Sequence, residues 1–378
     1  GEGQVATLDS VSVDNRGGQI VASDLTVTAD AINNRGGAMH GQEQLTLTGN
    51  TLDNSADGQI SGKHLNLTAR DTLTNQGGLV EASERFALAG GHVDNSAGGQ
   101  LRGLGATGNS INATRLDNGG EVVSGGDLDI TLSGDMTNSG RVSALQKLSV
   151  VANNVSQNGG RMAAINTQFN LSGTLDNLGF LTARQQLDIA AAQINNRGTL
   201  GALGPVNLTA TQGITNGADS LLFSGGDLTL RGNSFSNAYG DVYTQGNLTF
   251  AAQDGGRAAV FSNLSGTVEA EGAIGINAAF VENAKAEFEL VKTVTAGSVE
   301  WRCGQHCGGH DWFKRGQVNV HQTFLESAIK DSAPARLLAG KDLLIQGDNV
   351  QNRYSLLAAN GNLAIVANNL LNQGAGTR

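Results

Sequence analysis

The residues whose types and spacing could support chemistry lie in one short segment of the chain. Cys303, His306, Cys307 and His310 are close together, and thiolate sulfur and imidazole nitrogen are ligands that suit zinc. The spacing is compressed for a zinc site, however, and a second, distant pair of ligands is missing. Two other interpretations are open, and neither includes a metal. A Cys303–Cys307 disulfide would close a Gly-rich tip with the histidines in solvent, which we favour, or both thiols would be reduced and unbound.

The same segment holds both tryptophans of the chain and is its most aromatic part. Trp301, His310, Asp311, Trp312 and Phe313 form a candidate contact site for a partner. Alternatively, the aromatic rings pack on the outside of the molecule and cover a small local core, which we consider the better interpretation of the rings alone. Long excursions from a repetitive scaffold often carry binding, so this segment remains the best candidate contact site.

The elements that position this segment follow from an internal repeat of about twenty residues. One unit reads Leu-Asp-Asn, a Gly-rich turn, a short strand and then an alternating Leu-x-Leu, as in Val13-Asp14-Asn15-Arg16-Gly17-Gly18 and Leu25-Thr26-Val27. Self-similarity at a fixed period of this size is typical of solenoids. The Asn that marks each unit occurs at positions 15, 34, 54, 75, 95, 118, 138, 158, 177, 196, 216, 237, 263, 283, 352 and 372.

The alternation of apolar and polar residues predicts strands with one buried face. Helical spacing is absent, and so is the frame of a leucine-rich repeat. Three short strands and three turns in about twenty residues close one coil. The predicted fold is therefore all-β, a right-handed parallel β-helix with one insert outside the helix. Sixteen markers at the spacing of paired strands predict a rod of roughly 75–80 Å.

The marker Asn lies where each coil turns sharply before Gly, and its structural role is favoured over a row of ligands. Asn and Gly both tolerate left-handed backbone conformations. If the Asn side chains point inward, their amides can hydrogen-bond from coil to coil and satisfy one another. This predicted ladder comprises Asn15, Asn34, Asn54, Asn75, Asn95, Asn118, Asn138, Asn177, Asn196 and Asn216.

The rhythm of the repeat breaks once, which divides the chain into three parts. Residues 1–283 are predicted to form β-helix, residues 284–336 an insert, and residues 337–378 a resumed β-helix. Within the insert, Ala286–Val291 and Gln317–Val320 alternate well enough to be strands. We therefore expect an antiparallel hairpin that leaves the rod, with the Cys and His residues near its tip.

Composition excludes several classes of function. The net charge is −10 with no Lys or Arg cluster, which argues against a nucleic-acid partner. No apolar run is long enough for a membrane span, and no signal peptide is seen. The chain begins and ends within the pattern, which suggests a fragment. Its two cysteines do not settle the compartment.

The Leu-Asp-Asn-x-Gly-Gly frame resembles the haemagglutinin repeats of filamentous haemagglutinin and of CdiA-type contact-dependent inhibition proteins. The resemblance covers nearly the whole chain outside the insert. It implies an exoprotein of two-partner secretion, secreted to the cell surface of a Gram-negative bacterium. The implied partners are an outer-membrane β-barrel transporter and an unknown surface receptor on a target cell. The choice between an adhesin and a carrier of a C-terminal toxin is open.

These features predict a monomeric structural stalk rather than an enzyme, with no catalytic residue and no cofactor. Two rivals remain. A β-helical polysaccharide lyase or hydrolase would need clustered carboxylates, or basic residues with acids, on one face, and these are not seen. The other rival is a pure spacer without any binding activity.

Overall fold

The computed structural model describes residues 4–305, 307–308 and 315–374, and all regular structure in them is β-strand. Before the insert the strands are β1 Val5–Asp9, β2 Ser12–Asp14, β3 Gln19–Thr28, β4 Ala31–Asn33, β5 Ala38–Asp53, β6 Gln59–Thr74, β7 Leu79–Asn95, β8 Gln100–Gly103, β9 Asn109–Asn118, β10 Glu121–Ser124, β11 Leu128–Leu132, β12 Met136–Asn138, β13 Arg141–Ala144, β14 Lys147–Ala152, β15 Val155–Gln157, β16 Arg161–Leu171, β17 Thr174–Asn177, β18 Phe180–Asn196, β19 Thr199–Ala202, β20 Val206–Asn216, β21 Leu221–Ser224, β22 Leu228–Gly232, β23 Ser234–Ala238, β24 Asp241–Thr244, β25 Leu248–Ala251, β26 Ala258–Leu264, β27 Thr267–Ala270 and β28 Ile274–Ala284. The insert contains β29 Phe288–Gln305 and β30 Arg315–Asp331, and the later strands are β31 Arg336–Ala339, β32 Leu343–Arg353, β33 Leu356–Ala359 and β34 Leu363–Gln373.

The predicted parallel β-helix is confirmed by the way the strands pair. Each strand outside the insert pairs in parallel with the strand one coil away; β10, for example, pairs with β8 on one side and with β13 on the other. The pairs join equivalent residues of the repeat, such as Leu25 with Leu45 and Leu45 with Leu65. Three strand segments per coil therefore build one continuous sheet around a single core.

The alternation read from the sequence decides which side chains fill this core. In β11 the residues Leu128, Ile130 and Leu132 are buried, whereas Asp129 and Thr131 between them are exposed. Because each coil repeats this pattern, the buried Leu, Val and Ile side chains stack into rows along the rod. A thin core of this kind is filled by aliphatic residues, so the low aromatic content does not prevent compact packing.

The paired glycines of the repeat have different roles. Gly17, Gly36 and Gly77 are the first of their pairs, and their φ angles of 61°, 61° and 67° lie in the left-handed region that glycine adopts without strain. The second glycine is required by close approach between coils. A Cβ on Gly37 would lie 2.0 Å from the backbone oxygen of Asn15 in the previous coil.

The marker assigned to Asn158 was wrong by one residue. Gln157 occupies the buried position in the coil, and Asn158 is exposed. The register pairs Gln157 with Asn138 on one side and with Asn177 on the other. The spacing of the repeat could not show which of these two adjacent amides is buried, because steps between 19 and 21 residues occur throughout the chain.

Candidate functional site: the projecting hairpin and its anchorage

The marker amides form a hydrogen-bonded row inside the rod. Except at the coil that contains Gln157, the Nδ2 of each marker Asn donates to the Oδ1 of the Asn in the next coil, at 2.7 Å from Asn15 to Asn34 and at 2.8 Å from Asn34 to Asn54. All ten Asn residues of the predicted ladder are buried. The same direction of donation recurs along the row, which lets each amide polarise the next.

The row changes at one place. Asn138 donates to Gln157 Oε1 at 3.0 Å, but Gln157 Nε2 donates to the backbone oxygen of Phe180 at 2.7 Å instead of to Asn177. Asn177 Oδ1 accepts instead from the backbone N–H of Gly179. The longer Gln side chain thus interrupts the amide row between two otherwise regular segments.

The insert leaves the rod at the turn that follows a marker Asn. Asn283 still donates to Asn352 Oδ1 at 2.8 Å, although 69 residues separate the two in sequence. The strands on either side also continue across the insert, because β27 pairs with β31 and β28 with β32. The insert therefore replaces one turn and leaves the coil itself intact.

A compact set of contacts holds the base of the insert to the rod. The rings of Phe288 and Tyr354 lie with their centroids 4.1 Å apart. Lys285 pairs with Asp331 and lies over the Phe288 ring at 4.9 Å. Ser332 Oγ lies 2.7 Å from Ser265 Oγ. These contacts fix both chain ends of the insert, so its orientation at the base is defined.

Beyond the base, the insert is a two-stranded antiparallel hairpin of β29 and β30. Its register places Val299 opposite Val320 and Trp301 opposite Val318. Directly opposed residues share one face of a hairpin, and successive residues alternate between faces. We call the face that includes these residues the apolar face; its large side chains are Leu290, Val294, Val299, Trp301, Val318, Val320 and Phe324.

The other side of the outer half is polar, and we call it the polar face. Ser298 opposes His321, Glu300 opposes Asn319, and Arg302 opposes Gln317. The apolar face is not covered: Val299 is 71% exposed, Val320 60% and Val318 57%. The outer half of the hairpin is thus amphipathic, with its apolar side open to solvent.

The side chain of Trp301 packs on the facing strand at the outer end of the apolar face. A Cβ on Gly316 would lie 2.6 Å from Trp301 Cε2, so the indole lies directly over this glycine of the facing strand. Half of the Trp301 surface remains exposed. The alternation in the sequence predicted the strands. The contact of Trp301 with Gly316 depends on the register between the strands, which the sequence did not specify.

The structure joins Cys303 and Cys307 as a disulfide near the tip, with the Cα atoms 5.9 Å apart. Sulfur atoms in this bond are not thiolate ligands for a metal. The other residues named for the tip, namely His306, His310, Asp311, Trp312 and Phe313, lie outside the described residues. Among the described residues, no group of three or more His, Cys, Asp or Glu side chains is placed to hold a metal ion.

A polar cluster on the surface of the rod surrounds Asp117. Its carboxylate accepts from Thr137 Oγ1 at 2.6 Å and from Arg115 Nε at 3.0 Å, and it lies 2.7 Å from His92 Nε2. Partial burial acts to raise the pKa of Asp117, but the hydrogen bonds from Thr137, Arg115 and His92 outweigh it and lower the pKa overall. These contacts tie neighbouring coils together and occupy the carboxylate, which suits a structural role.

Comparison with known proteins identifies the repeat. The haemagglutinin repeat model matches residues 4–77, 72–120, 88–179, 166–221, 204–255, 246–299 and 315–377. The chain belongs to the haemagglutinin-repeat family. The resemblance inferred from the Leu-Asp-Asn-x-Gly-Gly frame is thereby confirmed.

Two curated relatives resemble this haemagglutinin-repeat chain. Both are named tRNA nuclease CdiA, one from Escherichia coli O6:K15:H31 (strain 536 / UPEC) and one from Escherichia coli strain NC101. Each is 27% identical over 337 residues, which covers 70% of this chain but only 10% of the relative. No solved structure matches the chain significantly. The chain thus corresponds to a small part of these very long proteins.

The relationship places this haemagglutinin-repeat chain among secreted or cell-surface proteins of Gram-negative bacteria that use two-partner secretion. The described residues contain no helix that is both long and apolar enough to cross a membrane.

Proposed function

We propose that this chain is a stalk segment of a secreted bacterial surface filament and that the hairpin is its contact with a partner. The observation that carries the proposal is the unbroken row from Asn283 to Asn352 across the insert. A rod that continues through the insertion can serve as a rigid spacer while the hairpin projects from it. The complete filament would present adhesive or toxin-delivering regions to another cell.

Two features support a contact role for the hairpin rather than a purely structural one. Its base is fixed by the Phe288–Tyr354 and Lys285–Asp331 contacts, so the hairpin leaves the rod in a defined direction. Trp301 lies in the outer half of the hairpin, and half of its surface is exposed. Exposed aromatic residues on a rigid support are the usual energetic centres of protein interfaces.

Binding of the purified chain to candidate target cells tests this proposal. We would compare the fluorescently labelled native chain with a variant in which Trp301→Ser alters the tip and a variant in which a short Gly-Ser turn replaces residues 288–331. Val21→Ser is the matched control, because Val21 is a similarly exposed apolar residue on the rod. We expect both hairpin variants to lose at least about tenfold in affinity, as removal of a central aromatic contact does.

Two results would contradict the proposal. Equal binding by all four proteins would assign cell contact to the rod instead of the hairpin. Absence of binding by the native chain to every target cell would favour a pure spacer. Circular dichroism of each variant shows whether the rod has remained folded, so that a loss of binding can be assigned to the hairpin.

The implied partners are part of the same proposal. Export would proceed through the dedicated outer-membrane transporter of a two-partner system, and the receptor would lie on the surface of the target cell. Stacked coils support such export because each coil contacts only its neighbours and can fold as it emerges. Co-expression with and without the transporter, followed by detection at the cell surface, tests this step.

A further inference from the structure

We infer that the apolar face of the hairpin packs against the same face of a second copy of this chain, which joins two rods side by side. This goes beyond the proposed stalk function and changes the predicted monomeric rod into a weak dimer. The starting point is the contrast between the two faces of the outer hairpin. Val299 and Val320 are largely exposed on one face, and Ser298 and His321 lie on the other.

A two-stranded hairpin needs a further layer to be stable. In water, an isolated pair of strands is marginal unless its apolar face packs on another element. The rod does not supply that layer. Its contacts with the insert are concentrated at the base, around Phe288 and Ser332, and the residues of the apolar face are exposed along the hairpin.

The edges of the hairpin are poorly suited to a partner strand. Three β-bulges interrupt the register of the hairpin. Thr295 and Gly304 in β29 and Ile329 in β30 have no directly opposed residue. Lys330 pairs with Glu289 at 3.3 Å, and Lys292 pairs with Glu326 at 3.1 Å, which places charges along both strands. Bulges and charges are the devices that protect sheet edges from pairing. A partner is therefore expected on the face rather than on an edge.

The charge pattern of the apolar face fits a second copy. Between Leu290 and Trp301 and on the described strand opposite, the charged side chains of this face are Lys292 and Glu326, which neutralise each other across the two strands. The chain as a whole has a net charge of −10, so two copies repel each other at most other places. Because this face carries no net charge and is self-complementary in polarity, a two-fold pairing brings no like charges together on it.

The size of the face sets the strength of the contact. From Leu290 to Trp301 it is about 36 Å long, and two strands with their side chains are about 10 Å wide, given the usual strand dimensions. Two such faces would bury about 800 Å² in total, below the size of a standard specific interface. Packed face to face, two hairpins would form a four-stranded sandwich. We expect a reversible dimer with a dissociation constant of about 10–50 μM.

The register provides matched variants for the test. Val299→Lys with Val320→Glu places an opposed ion pair on the apolar face, whereas Ser298→Lys with His321→Glu places the same pair one residue away on the polar face. Each pair is directly opposed, so either one is compatible with the hairpin. A shift of one residue changes only the face that carries the charges.

Sedimentation equilibrium of the full chain between about 2 and 200 μM measures the outcome, because this range brackets the expected dissociation constant. We expect the apparent mass of the native chain and of the polar-face variant to rise towards twice the monomer mass. The apolar-face variant should remain monomeric at every concentration. A monomeric native chain, or equal association of the two variants, would overturn the inference.

A second measurement tests whether the apolar face binds a lipid surface instead of a second copy of the chain. The native chain and both variants are mixed with phosphatidylcholine vesicles and sedimented. If the native chain is monomeric but binds vesicles, and the apolar-face variant does not, the face meets lipid and the dimer is refuted. We expect no vesicle binding by any of the three proteins. Because Trp301 also lies on the apolar face, cell binding by Trp301→Ser is compared with that of the native chain well below the dissociation constant, where both are monomeric. Unchanged cell binding under these conditions would refute the contact role of the hairpin and leave the dimer untouched.

Discussion

Removal of one amide from the buried row tests how far the row stabilises the rod. Asn75 is fully buried, accepts a hydrogen bond from Asn54 at 2.8 Å, and donates to Asn95 Oδ1 at 2.8 Å and to the backbone oxygen of Gln100 at 3.0 Å. In Asn75→Ala the Oδ1 of Asn95 loses its donor within the protein. Asn54 Nδ2 keeps the backbone oxygens of Gly58 and Leu79 as acceptors.

These contacts set the expected cost. An orphaned buried acceptor costs about 1–3 kcal/mol, and each of the other lost hydrogen bonds contributes about 1 kcal/mol. We therefore expect Asn75→Ala to lower the free energy of unfolding by about 3–5 kcal/mol. Asn158→Ala is the control, because it removes an exposed Asn that the sequence pattern had placed in the row, and surface changes stay within about 0.5 kcal/mol.

Urea unfolding followed by far-ultraviolet circular dichroism measures both variants. Both tryptophans lie in the insert, so tryptophan fluorescence would report on the hairpin rather than on the rod. Coils interact mainly with their neighbours, and hydrogen exchange of the coils around Asn75 would show whether the loss is local. If Asn75→Ala and Asn158→Ala unfold at the same urea concentration, the row does not contribute to stability as argued here.

Three further predictions concern the rod. Gln157→Asn should raise the free energy of unfolding by about 0.5–1.5 kcal/mol in the same urea assay, because the shorter amide can donate to Asn177 and restore the row; an unchanged midpoint would contradict this. Gly37→Ala should destabilise the rod far more than Gly17→Ala, since the added Cβ meets the backbone of the previous coil, and thermal melts of both variants compare the two effects. Because the pKa of Asp117 is lowered on folding, its contribution is complete above the unfolded value near 3.8 and disappears as pH falls through the lower folded pKa. Asp117→Asn should therefore reduce the loss of stability on acidification below about pH 4, and identical acid titrations would refute this cause.

The repeat made the rod predictable because one local pattern recurs in every coil. Alternation at Leu128 and Ile130 specifies the buried side, and glycines such as Gly17, Gly36 and Gly77 indicate the turn that follows the marker. Where two adjacent amides compete, as Gln157 and Asn158 do, the spacing is too variable to choose between them. Only the register, which pairs Gln157 with both neighbouring coils, decides the position.

The hairpin was less predictable because its important features depend on pairing across two strands. The strands were expected from alternation. One strand alone does not show that Trp301 packs on Gly316, nor that the hairpin has an apolar and a polar face. The contact between the rings of Phe288 and Tyr354 joins residues 66 positions apart and has no local signal. Such a contact forms only when the coil closes and brings distant residues together. The sequence shows the length of the repeat but not which residues meet in this way.

The position of the insert explains why the rod accepts it. The cost of closing a loop grows only slowly with its length, so a long excursion is tolerated when the ends that it joins stay in place. Here the ends stay in place because Asn283 bonds to Asn352 and β28 pairs with β32 as if consecutive. An insertion within the Leu-x-Leu strand would instead break a core row, since Ile274 and Leu343 are buried neighbours. The turn after the marker Asn is therefore a site where the repeat can carry added structure without loss of its core.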